Sequence, residues 1–250
     1  MLGHAVKWGV IKRNVAALVD APKVPVTEAP ALQLTEIPTM LAGLRGRVLY
    51  PIAVVALGTG MRRGELCGLR WRDVDLDGGS LRVEQSLEQT RAGLRFKAPK
   101  SARSRRSISL SPAVVAELRV HWKAQQEQRL ALGLGRTPPD GLVFSTWEGK
   151  PRQPDKLSTD FSTTMNKIGL PRITLHSLRH THASQLITGG MDILTVSRRL
   201  GHGSPAITLN VYGHLLTSQD RAADITQAML ANAGVEGYQN GSKSCFVPAR

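Results

Sequence analysis

The chain has 250 residues, enough for one substantial core, and its 33 Lys and Arg against 19 Asp and Glu leave a formal charge of +14. That balance favours a polyanionic partner over an acidic small molecule, and nucleic acid is the first candidate. Two cysteines, Cys67 and Cys245, supply neither a disulfide framework nor paired metal-ligand spacing. No apolar run reaches the roughly 18 residues that cross a bilayer, so a cytoplasmic protein without a membrane partner is expected.

Residues 1–20 carry apolar side chains at helical spacing, and the next ten, APKVPVTEAP, hold three prolines and read as a linker. A helix is predicted from Thr35. A second apolar segment, Val48 to Leu57, runs into Gly58-Thr59-Gly60, where a helix restarts at Met61 with Thr59 near its cap. Between Ser80 and Leu110 the period changes to alternation, Leu81 and Val83, Leu94 and Phe96, Ile108 and Leu110, which predicts a three-stranded antiparallel sheet. Ser111-Pro112 supplies an N-cap and a first-turn proline for a long helix to about Leu132. Interruptions follow at Gly133 to Gly141 and at Lys150 to Pro154. TLHSLRHTHASQLI leads into another helix, and MDILTVSRRLGHGSPAITLNVYGH makes two short ones broken at Gly201 to Pro205. The polar, glycine-bearing end beyond about Ala231 is expected to be a flexible tail.

Four segments set arginine, lysine or histidine beside glycine or turn residues. They are Thr59-Gly60-Met61-Arg62, then Lys97 to Arg106, His176-Ser177-Leu178-Arg179, and Leu200-Gly201-His202 with Tyr212 ten residues on. Transfer of a DNA strand asks for such a set. A phosphodiester under attack gathers negative charge on two non-bridging oxygens, which a pair of rigid guanidiniums can bind; Arg62 and Arg179 are the candidates. A tyrosine phenol, with an ordinary pKa of roughly 10, needs a base or a positive field before it attacks phosphorus, and histidine suits that work near neutrality. The departing 5′ oxygen needs a proton, which a hairpin lysine can give. The phosphotyrosine formed keeps the bond energy, so the chemistry calls for no ATP, metal ion or other cofactor. His176, His180 and His182 lack the glutamate of a zinc-protease helix, and His180 and His182 read as packing or hydrogen-bonded residues. No GK[ST] follows Gly58-Thr59-Gly60, so a P-loop is unsupported.

TGMRRGELCGLRWRDVDLDG, PKSARSRRSISL, HSLRH and LGHGSPAITLNVYGH resemble, in order and spacing, the successive boxes of tyrosine recombinases of the phage-integrase type, from about Leu34 to Ala228. The resemblance implies a mainly α-helical catalytic domain with a small three-stranded antiparallel sheet, the fold of the DNA breaking-rejoining enzymes. It implies Arg62 and Arg179 as phosphate clamp and Lys100 as general acid, with Lys97 the competing lysine. His176 is then the proton-transfer histidine, His202 a hydrogen-bond donor to the phosphate, and Tyr212 the nucleophile. Arg63 is expected on the surface or at the DNA backbone, and the basic run Arg91 to Arg106 at phosphates. The implied partners are duplex DNA attachment sites, three further copies in a tetramer, and accessory DNA-bending or directionality factors.

Three units are expected: residues 1–25 as the end of a core-binding domain with its linker, 30–230 as the catalytic domain, and 231–250 as the tail. The segment Thr217 to Leu230 reads as a helix that docks on a neighbouring subunit. AVKWGVIKRNVAALVDAPKV resembles only the last helix and linker of the family's DNA-clamping domain, which marks the chain as a fragment, an internally started product or a remnant. Two other readings remain open: a type IB topoisomerase-like nicking-closing enzyme, and a catalytically silent DNA-binding remnant.

Overall fold

The computed structural model describes residues 2–19, 31–98 and 105–216, together with Thr226 and Met229. Helices come first: α1 (Leu2–Lys7), α2 (Glu36–Leu44), α3 (Leu49–Thr59) and α4 (Arg63–Gly68). The strands β1 (Val74–Asp75), β2 (Ser80–Val83), β3 (Ser86–Thr90), β4 (Gly93–Lys97) and β5 (Arg106–Ser109) follow. Five α-helices follow between residues 105 and 216: α5 (Pro112–Ala131), α6 (Pro154–Lys167), α7 (Leu175–Thr188), α8 (Ile193–Leu200) and α9 (Pro205–Tyr212). The fold is mainly α with a small three-stranded antiparallel sheet, as expected. The linker, Lys100, the tail and nearly all of Thr217 to Leu230 lie outside the described residues.

The core gathers around α3, whose Ile52, Ala53, Val55 and Ala56 are fully buried; α7, α5 and α2 pack on it. A segment apolar on every side belongs in the middle of a fold rather than at its surface. Phe161 of α6 is likewise 0% exposed in this core. Phe161→Ala is expected to cost about 3–5 kcal/mol, read as a lower denaturant midpoint at unchanged slope. A smaller second core joins Ala183 and Ile187 of α7, Val196 and Leu200 of α8, and Tyr212 of α9.

Two local expectations are corrected. The sheet runs β1-β2-β5, with Leu81 opposite Ile108, both buried, while Leu94 and Phe96 belong to a separate hairpin in which β4 pairs with β3. Leu94 and Phe96 are 39% and 44% exposed, so their alternation was never a core signal. The missing strand is β1, only two residues long. The Asp75 carboxylate accepts from the Asp77 and Gly78 N–H groups at 3.1 and 2.7 Å and folds β1 back onto β2. The helix after Gly60 begins at Arg63 rather than Met61. Thr59 ends α3, its hydroxyl donating to the Val55 carbonyl at 2.5 Å.

The remaining caps follow from side chains that accept from free backbone N–H groups. Thr174 accepts from Ser177 N at 3.2 Å at the start of α7, Asp192 from Thr195 N at 2.9 Å at α8, and Ser204 from Ala206 N at α9, with Pro205 next. These stops and starts aim the basic segments at one another.

Candidate active site

Gly60 closes α3 in the left-handed region (φ 66°), and the chain extends through Arg62 before α4 begins. Arg62 therefore stands at a helix N-cap. Its backbone N–H donates to Glu65 Oε2 at 2.8 Å and its Nη1 to Glu65 Oε1 at 3.0 Å. Glu65 is buried and takes a second guanidinium end-on, Arg106 Nη1 and Nη2 donating at 3.0 and 2.8 Å. Burial works to raise the Glu65 pKa, but the hydrogen bond and charge of Arg106, then those of Arg62, outweigh it and hold the carboxyl below its ordinary value.

The C-terminal end of α8 is where the arginines meet. Arg106 Nε donates to the Arg199 carbonyl at 2.6 Å, Arg179 Nη2 to that of Leu200 at 2.9 Å, and Arg62 Nη2 to that of Gly201 at 2.9 Å. Three guanidiniums from three elements thus converge on three consecutive carbonyls, the negative end of a helix dipole. Arg179, only 3% exposed, also donates through Nη1 to the Gly60 carbonyl at 2.7 Å and so bridges the ends of α3 and α8. Burial and then Arg62 press against its charge, which a guanidinium nonetheless keeps. Three cations less one carboxylate leave the cluster at +2. Such a charge suits a phosphodiester that gains a second negative charge as it is attacked.

Gly201 permits this approach twice over. Its φ is +67°, and a Cβ there would lie 2.8 Å from Arg106 Nη1. Gly201→Ala carries about 1–2 kcal/mol of backbone strain and displaces the Arg106 guanidinium from its partners. We expect the melting temperature to drop by a few degrees, checked by a thermal melt beside the parent.

Tyr212 ends α9 with its ring in the second core, 4% exposed, and its hydroxyl 2.6 Å from His180 Nδ1. Burial pushes the phenol up to about 12 although Arg179 pulls the other way. Burial, then His176 and Arg179, pushes His180 down to about 4, so its imidazole is neutral near pH 7 and able to accept the phenol proton. His202 is likewise pushed to about 4, by burial and then Arg179, Arg62, Arg106 and His180. Its Nδ1 pairs with the buried Thr208 hydroxyl at 2.7 Å, which leaves Nε2 for a phosphate oxygen.

Arg62, His176, Arg179, His202 and Tyr212 therefore come together, and Lys100 lies outside the described residues. Lys97 ends β4 with its ammonium 3.5 Å from Glu88 Oε2, and it lines the same cleft, about 640 Å³, as Arg62 and Gly201. The hydrogen bond of the phenol goes to His180, and His176, the expected proton-transfer histidine, lies beside that ring. His176 occupies the exposed first turn of α7, edge-on to His180 at a ring separation of 4.5 Å, while α9 meets α7 one turn deeper. Partial burial, then Arg179 and Arg62, lowers its pKa. Arg106, expected at phosphates, is instead buried against Glu65, its side chain 6% exposed. Arg63 pairs with Ser158 and Asp155 at the rim.

Sequence reasoning missed Glu65, Arg106 and His180 as parts of the cluster. A carboxylate three residues after Arg62, and a histidine four residues after His176 on the same helix face, were the available signals. His182 supports the site from behind. Its Nδ1–H donates to the Leu57 carbonyl at 2.8 Å, so Nε2 accepts from Arg199 Nε at 3.0 Å. Arg199 in turn donates to the Gly58 and Ser109 carbonyls, tying α8 to α3 and β5.

The profile described as the Phage integrase family matches residues 31–219. The chain is similar to a tyrosine recombinase XerC-like protein of Caldanaerobacter subterraneus, 31% identical over 204 residues, 77% of this chain and 52% of that one. It is 33% identical to the ICEBs1 integrase of Bacillus subtilis over 67% of this chain and 45% of that protein. It is 33% identical to an integrase of Streptomyces ambofaciens over 84% and 57%. The chain spans about half the length of these curated relatives. Among solved structures, the Tn1549 transposon integrase in complex with a circular intermediate DNA matches with a TM-score of 0.70 at 23% identity, over 90% of this chain and 74% of that one. XerA recombinase matches with 0.60 at 23% identity, over 85% and 70%.

Proposed function

The chain belongs to the phage integrase family, and on that premise we propose that it is a site-specific DNA recombinase that cuts and rejoins strands through a phosphotyrosine at Tyr212. The observation that carries the proposal is the Tyr212 hydroxyl, hydrogen-bonded to a neutral imidazole and held beside an arginine cluster of net positive charge.

In this reading the scissile phosphate docks against Arg62 and Arg179, with His202 Nε2 donating to a non-bridging oxygen. Tyr212 Oη attacks phosphorus in line with the 5′ oxygen. The O–P bond to tyrosine forms as the bond to the 5′ oxygen breaks, His180 takes the phenolic proton, and Lys100 gives one to the leaving oxygen. The phenol near 12 and the imidazole near 4 are too far apart for the proton to cross before attack, so it moves as the new bond forms. A 5′ hydroxyl from the same or another strand reverses the step. His176, on the solvent side of His180, relays the proton outward.

The substrate is duplex DNA at attachment sites of a phage or mobile element, and the acting species is a tetramer, with DNA-bending or directionality factors as accessories, in the cytoplasm. Exposed Leu194, Ile207 and Leu209 on α8 and α9 support contact between copies. Among the described residues no helix is long and apolar enough to cross a membrane. The resemblance of residues 1–25 to the end of a core-binding domain and its linker supports the reading that a DNA clamp takes part in the reaction.

The test is a suicide duplex nicked beside the cleavage position, incubated with the protein and resolved on a denaturing gel. A covalent adduct that disappears in Tyr212→Phe, with duplex binding kept, is the expected result. Absence of adduct with intact protein at low salt on its cognate site would instead support a silent DNA-binding protein. A 5′-thio leaving group needs no proton, so it should rescue whichever of Lys100→Ala and Lys97→Ala removes the general acid.

A further inference from the structure

A second cavity, about 720 Å³, opens between the α2–α3 connection, α5 and the turn before α6. It shares no lining residue with the clefts beside Arg62, His176 or His202. Four arginines line it: Arg45, Arg47, Arg129 and Arg152. None of the four is ion-paired among the described residues, whereas exposed Arg63, Arg72 and Arg119 each hold a carboxylate. Glu117 is the cavity's one carboxyl, and burial alone raises its pKa with no arginine pulling it down.

Arg152 is the telling member. Its Nε is buried with no hydrogen-bond partner, the sole such side-chain nitrogen or oxygen among the described residues. Burial works against its charge, and Cys67 and Asp160 act on it only from a distance. A half-buried cation without a partner is costly, and a donor left unmade costs about 1–3 kcal/mol. An anion that enters the cavity offsets the cost of that charge. At the rim, Trp147 presents an aromatic face, 58% exposed, on the turn that Gly149 closes with φ +81°. Cationic forks beside a free aromatic face, in a cavity of this size, match a phosphate joined to a planar base.

We propose that this cavity is a nucleotide-binding site separate from the Tyr212 cluster, with the phosphate on Arg152 and the basic rim and the base stacked on Trp147. The ligand is either a free nucleotide or one unpaired nucleotide of a strand. The site stands whether or not Tyr212 is a nucleophile.

The experiment follows Trp147 fluorescence in a Trp8→Phe background, which removes the other strongly exposed tryptophan. Thymidine 5′-monophosphate should quench saturably, with thymidine at least ten-fold weaker and inorganic phosphate competing. Arg152→Gln, and separately the exposed pair Arg45→Gln with Arg47→Gln, should each weaken binding at least ten-fold. The signal should vanish in Trp147→Phe and stay unchanged in Tyr212→Phe. A thymidine tetranucleotide that binds tighter than the mononucleotide identifies the strand as the source, and equal binding identifies the free nucleotide. Equal quenching by thymidine, no quenching, survival of the signal in Trp147→Phe, or indifference to both sets of arginine variants overturns the proposal. Because the rim pair is exposed, it tests the site even if Arg152→Gln fails to fold.

Discussion

Arg179→Gln is expected to lower single-turnover strand cleavage by about 10³-fold, the upper end of what loss of one preorganised donor to a developing oxyanion costs. The side chain does two jobs at once. Its Nη1 and Nη2 lock onto the Gly60 and Leu200 carbonyls, which fixes the guanidinium in place, and its charge acts on Arg62, Glu65, Arg106 and Tyr212. Glutamine keeps some hydrogen bonding to those carbonyls but loses the charge. A stability loss of about 1–3 kcal/mol should accompany it. Arg179→Lys separates charge from geometry. One ammonium cannot span two carbonyls and a phosphate, so lysine should recover folding but stay at least 10² below the parent in cleavage. If lysine restores cleavage, charge alone suffices and the bridging of α3 to α8 is incidental.

Much of this arrangement was legible because its signals are local. Gly60 and Gly201 mark left-handed helix ends, Ser111-Pro112 and Ser204-Pro205 mark starts, and the boxes of Arg62 and His202 each stand beside one of them. What escaped the sequence is non-local. The bond from His180 to Tyr212 spans 32 residues, and the one from Arg106 to Glu65 spans 41. Both depend on how α9 and β5 pack against α7 and α4, which no spacing rule encodes. In the sheet, β1 was too short to show alternation, and the Leu94 and Phe96 pattern imitated a core strand while facing outward. Arg106 looked like one more phosphate-facing cation because its charge was visible and the buried carboxylate it meets was not.

His180 is where the largest remaining prediction lies. Its Nδ1 faces the phenol, and asparagine places an acceptor near that position without being able to take up a proton. His180→Asn should therefore keep Tyr212 aligned and still lose about 10²-fold in cleavage, and it should lose the acid limb of the pH–rate profile that protonation of the imidazole imposes on the parent. Full cleavage by His180→Asn would reduce the residue to a positioning role. A stability effect of definite sign accompanies the kinetic one. His180, His182 and His202 are each held near 4, chiefly by burial, against about 6.5 in the unfolded chain. Between those values the unfolded state binds the additional protons, so the stabilisation is complete above about pH 6.5 and is lost as the pH falls toward 4. Glu65, with its lowered pKa, adds a further loss only below the ordinary carboxylate range. Melting temperatures taken from pH 7 down to pH 4.5 should fall steadily, and less steeply in His180→Asn, because one of the imidazoles held below its ordinary value has been removed. A flat profile across that interval would mean that these imidazoles are solvated, and the neutral base beside Tyr212 would go with them.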